Sequence, residues 1–217
     1  MSEPAPGPDD DKSWLRLPLT DSTAIASRYD EWASTYERDL VVNWDYNAPF
    51  EAARLLVDRG AVSPVLDVGC GIGLTGRALA GAGFHDIDGV DLSEVSLAAA
   101  RESGAYRSLV RHDFNASALP FEVHTYATAV CVGVLSYAAQ PGPFVADMCR
   151  VVTANGTILF THRTDLWDEQ KFPQVLHSLL SEGRLLDVLW SEPKPYMPGN
   201  EDFADRILVR YVTATVA

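Results

Sequence analysis

The chain has 217 residues, 47% of them hydrophobic, with a formal net charge of −13. That length and apolar content suit one domain with a substantial core. The acidic balance argues against direct nucleic-acid binding, which needs a basic face to displace phosphate counterions, and no apolar run approaches the length needed to cross a bilayer.

Residues 1–20 read as a flexible tail. Pro4, Pro6 and Pro8 prevent a helix, and Asp9-Asp10-Asp11 repel one another. Trp14, Leu15 and Leu17 within it either dock onto the domain or stay mobile. The tail is acidic and proline-rich rather than basic and then apolar, so no secretory leader is expected and the cytoplasm is the expected compartment. A single domain is expected over 21–217, with 21–60 as a helical lid segment. Thr20 or Asp21 can cap its first helix, and Tyr29, Trp32 and Tyr36 fall at helical spacing on one face. A second helix runs from Ala48 to Asp58, with Pro49 near its start and Gly60 past its end.

The sequence then alternates strand and helix. Val65–Gly69 is a strand, Thr75–Ala82 a helix, Ile87–Asp91 a strand, and Ser93 caps a helix to about Ser103. Tyr106–Arg111 is a third strand. Tyr126–Val134 is a nearly continuous apolar run, as a central parallel strand requires. Phe144–Val152 is a helix. Thr157–Thr161 is a fifth strand after the turn Asn155-Gly156. A helix from Asp165 or Asp168 to Glu182 follows, then strands Leu185–Trp190 and Ile207–Thr215. With no helix between them, these last two should pair antiparallel. The earlier units imply right-handed crossovers and a mostly parallel sheet, with the ligand at the carboxyl ends of its strands.

The chemistry concentrates where the first strand meets Gly69-Cys70-Gly71-Ile72-Gly73-Leu74-Thr75-Gly76. Glycine lets backbone approach a ligand closely, having no Cβ. Asp91 ends the next strand, placed to accept from ribose hydroxyls. Together they predict a nucleoside-containing cofactor. Gly71-x-Gly73-x-x-Gly76 also fits a dinucleotide fingerprint, but Asp67 lies two residues before Gly69, and a carboxylate there would repel a pyrophosphate. S-adenosylmethionine (SAM) carries no phosphate; its ammonium and sulfonium favour nearby negative charge. The alternative is that Asp67 only satisfies loop N–H groups.

Asp67-Val68-Gly69-Cys70-Gly71-Ile72-Gly73, Val90-Asp91-Leu92-Ser93, His112-Asp113-Phe114 and Ala129–Leu135 together resemble the class I SAM-dependent methyltransferases. The likeness is closest to the methyltransferase-like proteins named after the Williams–Beuren syndrome region, which share the segment Tyr29-Asp30-Glu31-Trp32-Ala33-Ser34-Thr35-Tyr36 and look similar at Thr161-His162-Arg163-Thr164. The resemblance implies a Rossmann-like α/β fold, a seven-stranded mostly parallel sheet of order 3-2-1-4-5-7-6 with helices on both faces. It implies SAM as cofactor and S-adenosylhomocysteine (SAH) as product. Its motif residues are Asp67, Gly69, Cys70, Gly71, Gly73, Asp91, Leu92 and Ser93. In the family pattern Leu92 lies on adenine, Asp113 and the Phe114 N–H meet the adenine edge, and Val132 and Gly133 carbonyls face the methionine ammonium. Tyr36, helped by Tyr29, would reach the methionine carboxylate; the alternative for this stripe is core packing. Asp113 could instead be a turn residue, and Gly76 a packing residue.

Trp44, Tyr46, Leu135, Ser136, Tyr137, Tyr196 and Met197 are candidates for an acceptor pocket suited to a small, partly apolar molecule. His162, just past strand five, is the candidate general base if the acceptor needs one; a structural histidine is the other reading. Cys70, Cys131 and Cys149 fit no zinc spacing, and no metal is expected. A small-molecule methyltransferase is the leading expectation. A protein methyltransferase, a SAM- or SAH-binding protein without activity, and an NAD-dependent oxidoreductase stand as alternatives.

Overall fold

The computed structural model describes residues 12–217. The strands are β1 (Val65–Val68), β2 (Ile87–Asp91), β3 (Ser108–Arg111), β4 (Tyr126–Cys131), β5 (Val152–Arg163), β6 (Leu185–Trp190), the short β7 (Lys194–Pro195) and β8 (Leu208–Val216). The sheet order is β3-β2-β1-β4-β5-β8-β6, with β7 hydrogen-bonded to β8. The pairs from β3 through β5 are parallel, and β8 runs antiparallel to both β5 and β6. Counting only the long strands, this is the expected order 3-2-1-4-5-7-6 and the Rossmann-like methyltransferase fold.

Helices α1 (Ser22–Trp32), α2 (Ala48–Asp58), α3 (Leu74–Gly81), α4 (Glu94–Glu102), α5 (Pro141–Val151), α6 (Thr164–Trp167) and α7 (Phe172–Ser181) flank the sheet. Phe144, Met148, Phe172 and Leu176 of α5 and α7 pack one face. Ala52, Leu56, Ala78 and Leu79 of α2 and α3 pack the other, together with the N-terminal aromatics. The central strands are apolar because both of their faces are covered. Local signals fix the helix starts. Asp21 accepts from the Ala24 N–H at 2.9 Å, and the Ser93 hydroxyl accepts from the Ser96 N–H at 3.0 Å, each satisfying a donor the first helical turn leaves free.

Four expectations need correction. The helix from 165 to 182 is two helices, broken at Lys171, which takes φ +49°. Pro173 sits in the first turn of α7; its missing N–H and its ring forbid a continuous helix through this point. The third strand begins at Ser108, because the Tyr106 ring turns away under the glycine loop. The fifth strand begins at Val152, and the Asn155-Gly156 turn lies within it as an irregularity against β4. Finally, the flexible tail does not extend to residue 20. Ser13–Arg16 form a short 3-10 helix with Trp14 and Leu15 buried; the proline-rich and triple-aspartate part of that reading lies outside the described residues. A π-helix over Arg38–Asn43 carried no sequence signal that we recognised.

Tyr106 is the joint between loop and sheet. Its hydroxyl donates to Asp67 Oδ2 at 2.7 Å and accepts from the Gly76 N–H at 3.0 Å. A Cβ on Gly76 would lie 2.3 Å from Tyr106 Cζ, so Gly76 is a packing residue. Gly76→Ala should cost about 1–3 kcal/mol, the usual scale for overpacking. Gly81→Ala, one helical turn on and facing open space, should cost nothing and serves as the control. Urea denaturation of the two variants is the measurement; equal midpoints would show that the Tyr106 contact carries no energy.

Candidate functional site

The loop after β1 bends by using conformations that side chains resist. Gly69, Gly71 and Gly73 take φ of +75°, +51° and +92°, the left-handed region that glycine enters without penalty. A Cβ on Gly69 would collide with Val134, 2.2 Å away, whereas one on Gly71 would meet nothing within 4 Å. Gly133, just past β4, takes φ +78°, and a Cβ there would lie 2.7 Å from the Tyr196 hydroxyl and 3.1 Å from that of Tyr46. The carboxyl ends of β1 and β4 therefore leave a floor of bare backbone.

Over this floor runs one cleft. Along the sheet edge it passes Asp113, Phe114 and Asn115 after β3, then Asp91, Leu92 and Ser93 at β2. It continues over Gly69 and Gly71 at β1 and Val132 and Gly133 at β4, and ends at Arg163 of β5. Tyr29, Trp32, Tyr36 and Tyr46 from the N-terminal segment and Tyr196, Met197 and Phe203 from the late loop wall it. The two walls are joined: Gly199 N–H donates to the Trp44 carbonyl at 3.2 Å. Leu15 of the N-terminal turn also lines the cleft.

Asp91 is organised before any ligand arrives. One carboxylate oxygen accepts from the Gly71 N–H at 2.8 Å and the other from the Ser93 N–H at 2.9 Å. Each oxygen keeps a lone pair free for a ligand hydroxyl. Burial raises its pKa, against the pull of these N–H groups. Ser93 in turn donates to Asp30 of α1, which ties the lid helix to the site. Asp113 lines the cleft and also caps its own turn, accepting from the Asn115 N–H at 2.9 Å. The Phe114 ring lies 4.7 Å from Phe144.

Several proposed residues sit elsewhere. Asp67 is fully buried beneath the loop rather than in the cleft wall. Its Oδ1 has no hydrogen-bond partner, so the turn-residue alternative, in which it caps loop N–H groups, does not apply. Cys70 is buried, its sulfur 2.9 Å from where a Gly89 Cβ would be, and burial pushes its thiol pKa up. Gly73 lies behind the loop against Tyr106 and α4. Trp44 packs at a tilt against Trp32 with centroids 5.5 Å apart and does not line the cleft. Tyr137 and Tyr196 do, and the Tyr137 and Tyr29 hydroxyls are 3.0 Å apart.

His162 is a correction. Its Nδ1 lies 2.9 Å from the Arg163 carbonyl and its Nε2 3.0 Å from Gln170 Oε1. Its ring packs 4.2 Å from Phe172, and burial lowers its pKa. Strand alternation sends Thr161 and Arg163 to the cleft side and His162 to the α7 side. Thr161 accepts from the Gly133 N–H at 2.8 Å. The residue that β5 delivers to the cleft is Arg163, which our sequence reading did not single out.

An open α/β sheet with this order, a glycine floor at β1 and an acid at the end of β2 define a class I SAM-dependent methyltransferase fold. Residues 66–160 match the family model described as a methyltransferase domain. The chain is 32% identical over 141 residues to human methyltransferase-like protein 27, covering 63% of this chain and 57% of that protein. It is 36% identical over 135 residues to the ubiquinone biosynthesis O-methyltransferase of Thiobacillus denitrificans, covering 54% of this chain and 56% of that one. The chain thus spans a little over half the length of these relatives. Magnesium protoporphyrin IX methyltransferase from Synechocystis PCC 6803, solved with SAM bound, superposes with a TM-score of 0.66 at 15% identity, covering 92% of this chain and 98% of that one. Among the described residues no helix is long and apolar enough to cross a membrane, and no group of three or more His, Cys, Asp or Glu could hold a metal.

The three features at β1 and β2 fit SAM. Gly71 faces open space, Asp91 keeps free lone pairs, and Asp67 holds an orphaned buried oxygen near a loop meant for a cationic ligand. Burial pushes the Asp67 carboxyl up to about 7, the Tyr106 bond pulls it down, and Asp91 adds to the rise. The native state therefore keeps a proton that the unfolded chain releases above about pH 4. Ligand-free stability should fall as pH rises between about 4 and 7, by up to about 1.4 kcal/mol per pH unit, and level off above. Asp67→Asn should remove most of that slope. Denaturation midpoints at pH 5, 6, 7 and 8 measure it; parallel curves for the two proteins would mean that Asp67 titrates normally.

Proposed function

We propose that this protein transfers a methyl group from SAM to a small-molecule acceptor, releasing SAH. The observation that carries this reading is the enclosed cleft over a glycine floor, with acids at its β2–β3 end and aromatics around the rest. The cavity measures about 110 Å³, well under the usual size of a small-molecule site. A protein methyltransferase would need an open groove, and here the N-terminal turn and the late loop both stand over the cleft. The names of the ubiquinone biosynthesis relatives support a small acceptor. The closer likeness to the Williams–Beuren syndrome region proteins rests on the Tyr29–Tyr36 segment. A cytoplasmic setting is part of this proposal and is supported by three buried, unpaired cysteines. No direct nucleic-acid or membrane partner is part of it.

Asp91 would hold the ribose and Asp113 the adenine edge, with Leu92 against the base. Gly69, Gly71, Val132 and Gly133 would hold the methionine half, with Tyr29 and Tyr36 near its charged groups. When bound, SAM supplies a methyl group already activated by its sulfonium. The task left to the chain is alignment and exclusion of water. Trp32, Tyr36 and Tyr46 do the second, being buried or half-buried over the site. An aromatic face near a sulfonium adds about 0.5–2 kcal/mol.

The test is calorimetric titration with SAH, then incubation with labelled SAM and a metabolite extract. The native protein should bind SAH, and label should appear in a small molecule. Asp91→Ala should weaken binding by about 1.5–3 kcal/mol, roughly ten- to a hundredfold. Gly71→Val should abolish it, because its side chain enters the open space of the cleft and a β-branched residue resists φ +51°. Unchanged affinity in both variants would remove the cofactor from this loop.

A further inference from the structure

The two ends of the cleft carry opposite charge. Asp113 and Asp91 stand at the β3 and β2 end, and Arg163 at the β5 end is the one Lys or Arg side chain among the described residues that line it. Arg163 is only 5% exposed. Its Nε and Nη2 donate to Asp165 at 3.1 and 2.6 Å. Nη1 donates to the Leu15 carbonyl at 2.7 Å and Nη2 to the Arg16 carbonyl at 2.8 Å. Four of its five N–H groups are thus directed, and one on Nη1 remains. Asp165 does not line the cleft. The guanidinium also lies 5.6 Å over the Phe203 ring.

The same end lacks a proton acceptor. Its polar lining is Tyr29, Tyr36, Tyr46, Tyr137, Tyr196 and Ser136. Burial raises the pKa of all five phenols, with Tyr196 pushed up to about 12, while the charge of Arg163 pulls against that rise at Tyr137 and Tyr196. None is a phenolate near neutrality. His162 faces the other side of the sheet, and Asp91 and Asp113 lie at the far end. An alcohol, or a carbon acid, would have nowhere to leave its proton. An ammonium would meet the charge of Arg163 and then that of the sulfonium.

We propose that the acceptor is a small organic acid in its anionic form, drawn to the β5 end by Arg163 and methylated on its anionic oxygen. This rests on the transferase reading above. A lone pair of that oxygen forms the new O–CH3 bond, and the pair of the broken C–S bond stays on sulfur. The charges of −1 and +1 cancel, and no proton moves. Both reactants lose charge in the step, so the apolar walls around it favour the transition state over the separated ions. The leading sources are a carboxylate, giving a methyl ester, and a phenol or enol acidic enough to be ionised already.

The experiment uses the full chain, labelled SAM, and a small-molecule cell extract split by ion exchange into anionic, neutral and cationic fractions. Label should enter the anionic fraction, in a product that has lost its charge. Alkali then separates the sources: a carboxylate ester releases labelled methanol and an aryl ether does not. Label in the neutral or cationic fraction alone overturns the proposal and leaves the transferase reading intact. No label in any fraction, with SAH binding retained, overturns both. Arg163→Gln should raise KM for the labelled acid at least tenfold with SAH affinity within twofold, and Arg163→Lys should recover part of the loss. A KM unchanged in Arg163→Gln overturns the assignment of Arg163. Because Arg163→Gln could fail to fold, the native protein gives a second readout. Its kcat/KM should be flat with pH above the pKa of the acid. A limb rising through pH 7–9, as loss of an acceptor proton would give, overturns the proposal.

Discussion

The close approach of bare backbone at the carboxyl ends of β1 and β4 is the constraint on which the cleft depends. Val134 lies where a Gly69 side chain would be, and the Tyr46 and Tyr196 hydroxyls meet where a Gly133 side chain would be. The space saved at these two positions is filled by side chains that the fold needs. The space saved at Gly71 is left open. One loop therefore serves two purposes, closing the sheet edge at Gly69 and Gly76 and leaving room at Gly71. Tyr106 links them, since its hydroxyl bonds both the loop helix and the carboxylate at the centre of β1.

Charge is ordered along the same edge. Asp67 is buried and Asp91 half-buried, and burial raises the pKa of each. Two carboxyls held this way cost stability in the ligand-free protein, because each gives up hydration that its hydrogen bonds only partly replace. A cationic ligand placed near them would relieve that cost, whereas a pyrophosphate would increase it. The physical case against a dinucleotide is thus stronger in the folded protein than in the sequence, where Asp67 could still have been an exposed turn residue.

The fold was legible because its signals are local and repeated. Ser93 caps the helix it was expected to cap, Asp21 rather than Thr20 caps the first, and the helix over Ala48–Asp58 was readable from its proline and its glycine. Glycine loop and ribose acid are close in sequence and sit on adjacent parallel strands, so their spacing predicts their meeting. The acceptor end was less legible because it is assembled from distant pieces. Leu15, Tyr46, Arg163 and Tyr196 meet only once β5, the late loop and the N-terminal turn have packed. His162 and Arg163 differ by one place in a strand, and one place exchanges the faces of the sheet. No clue to parity was present: Thr157–Thr161 is buried throughout, so the face each residue takes could not be read from hydrophobic alternation. Pro173 was a plainer signal, and reading it as a helix start would have divided α6 from α7.

Arg163 also explains why the N-terminal turn belongs to the site. An arginine this deeply buried needs acceptors for its N–H groups, and one carboxylate supplies two. The carbonyls of Leu15 and Arg16 supply two more, from a segment about 150 residues away in sequence. Trp14 then packs edge-on against Tyr29 and Trp32, and Arg16 reaches Asp202 of the late loop at 3.3 Å. The N-terminal turn is held by β5, the first helix and the late loop together, and its Leu15 lines the cleft. Removing a charge from Arg163 would therefore loosen a wall as well as weaken a field. For that reason its role in acceptor binding has to be read from the split between KM and SAH affinity rather than from lost activity alone.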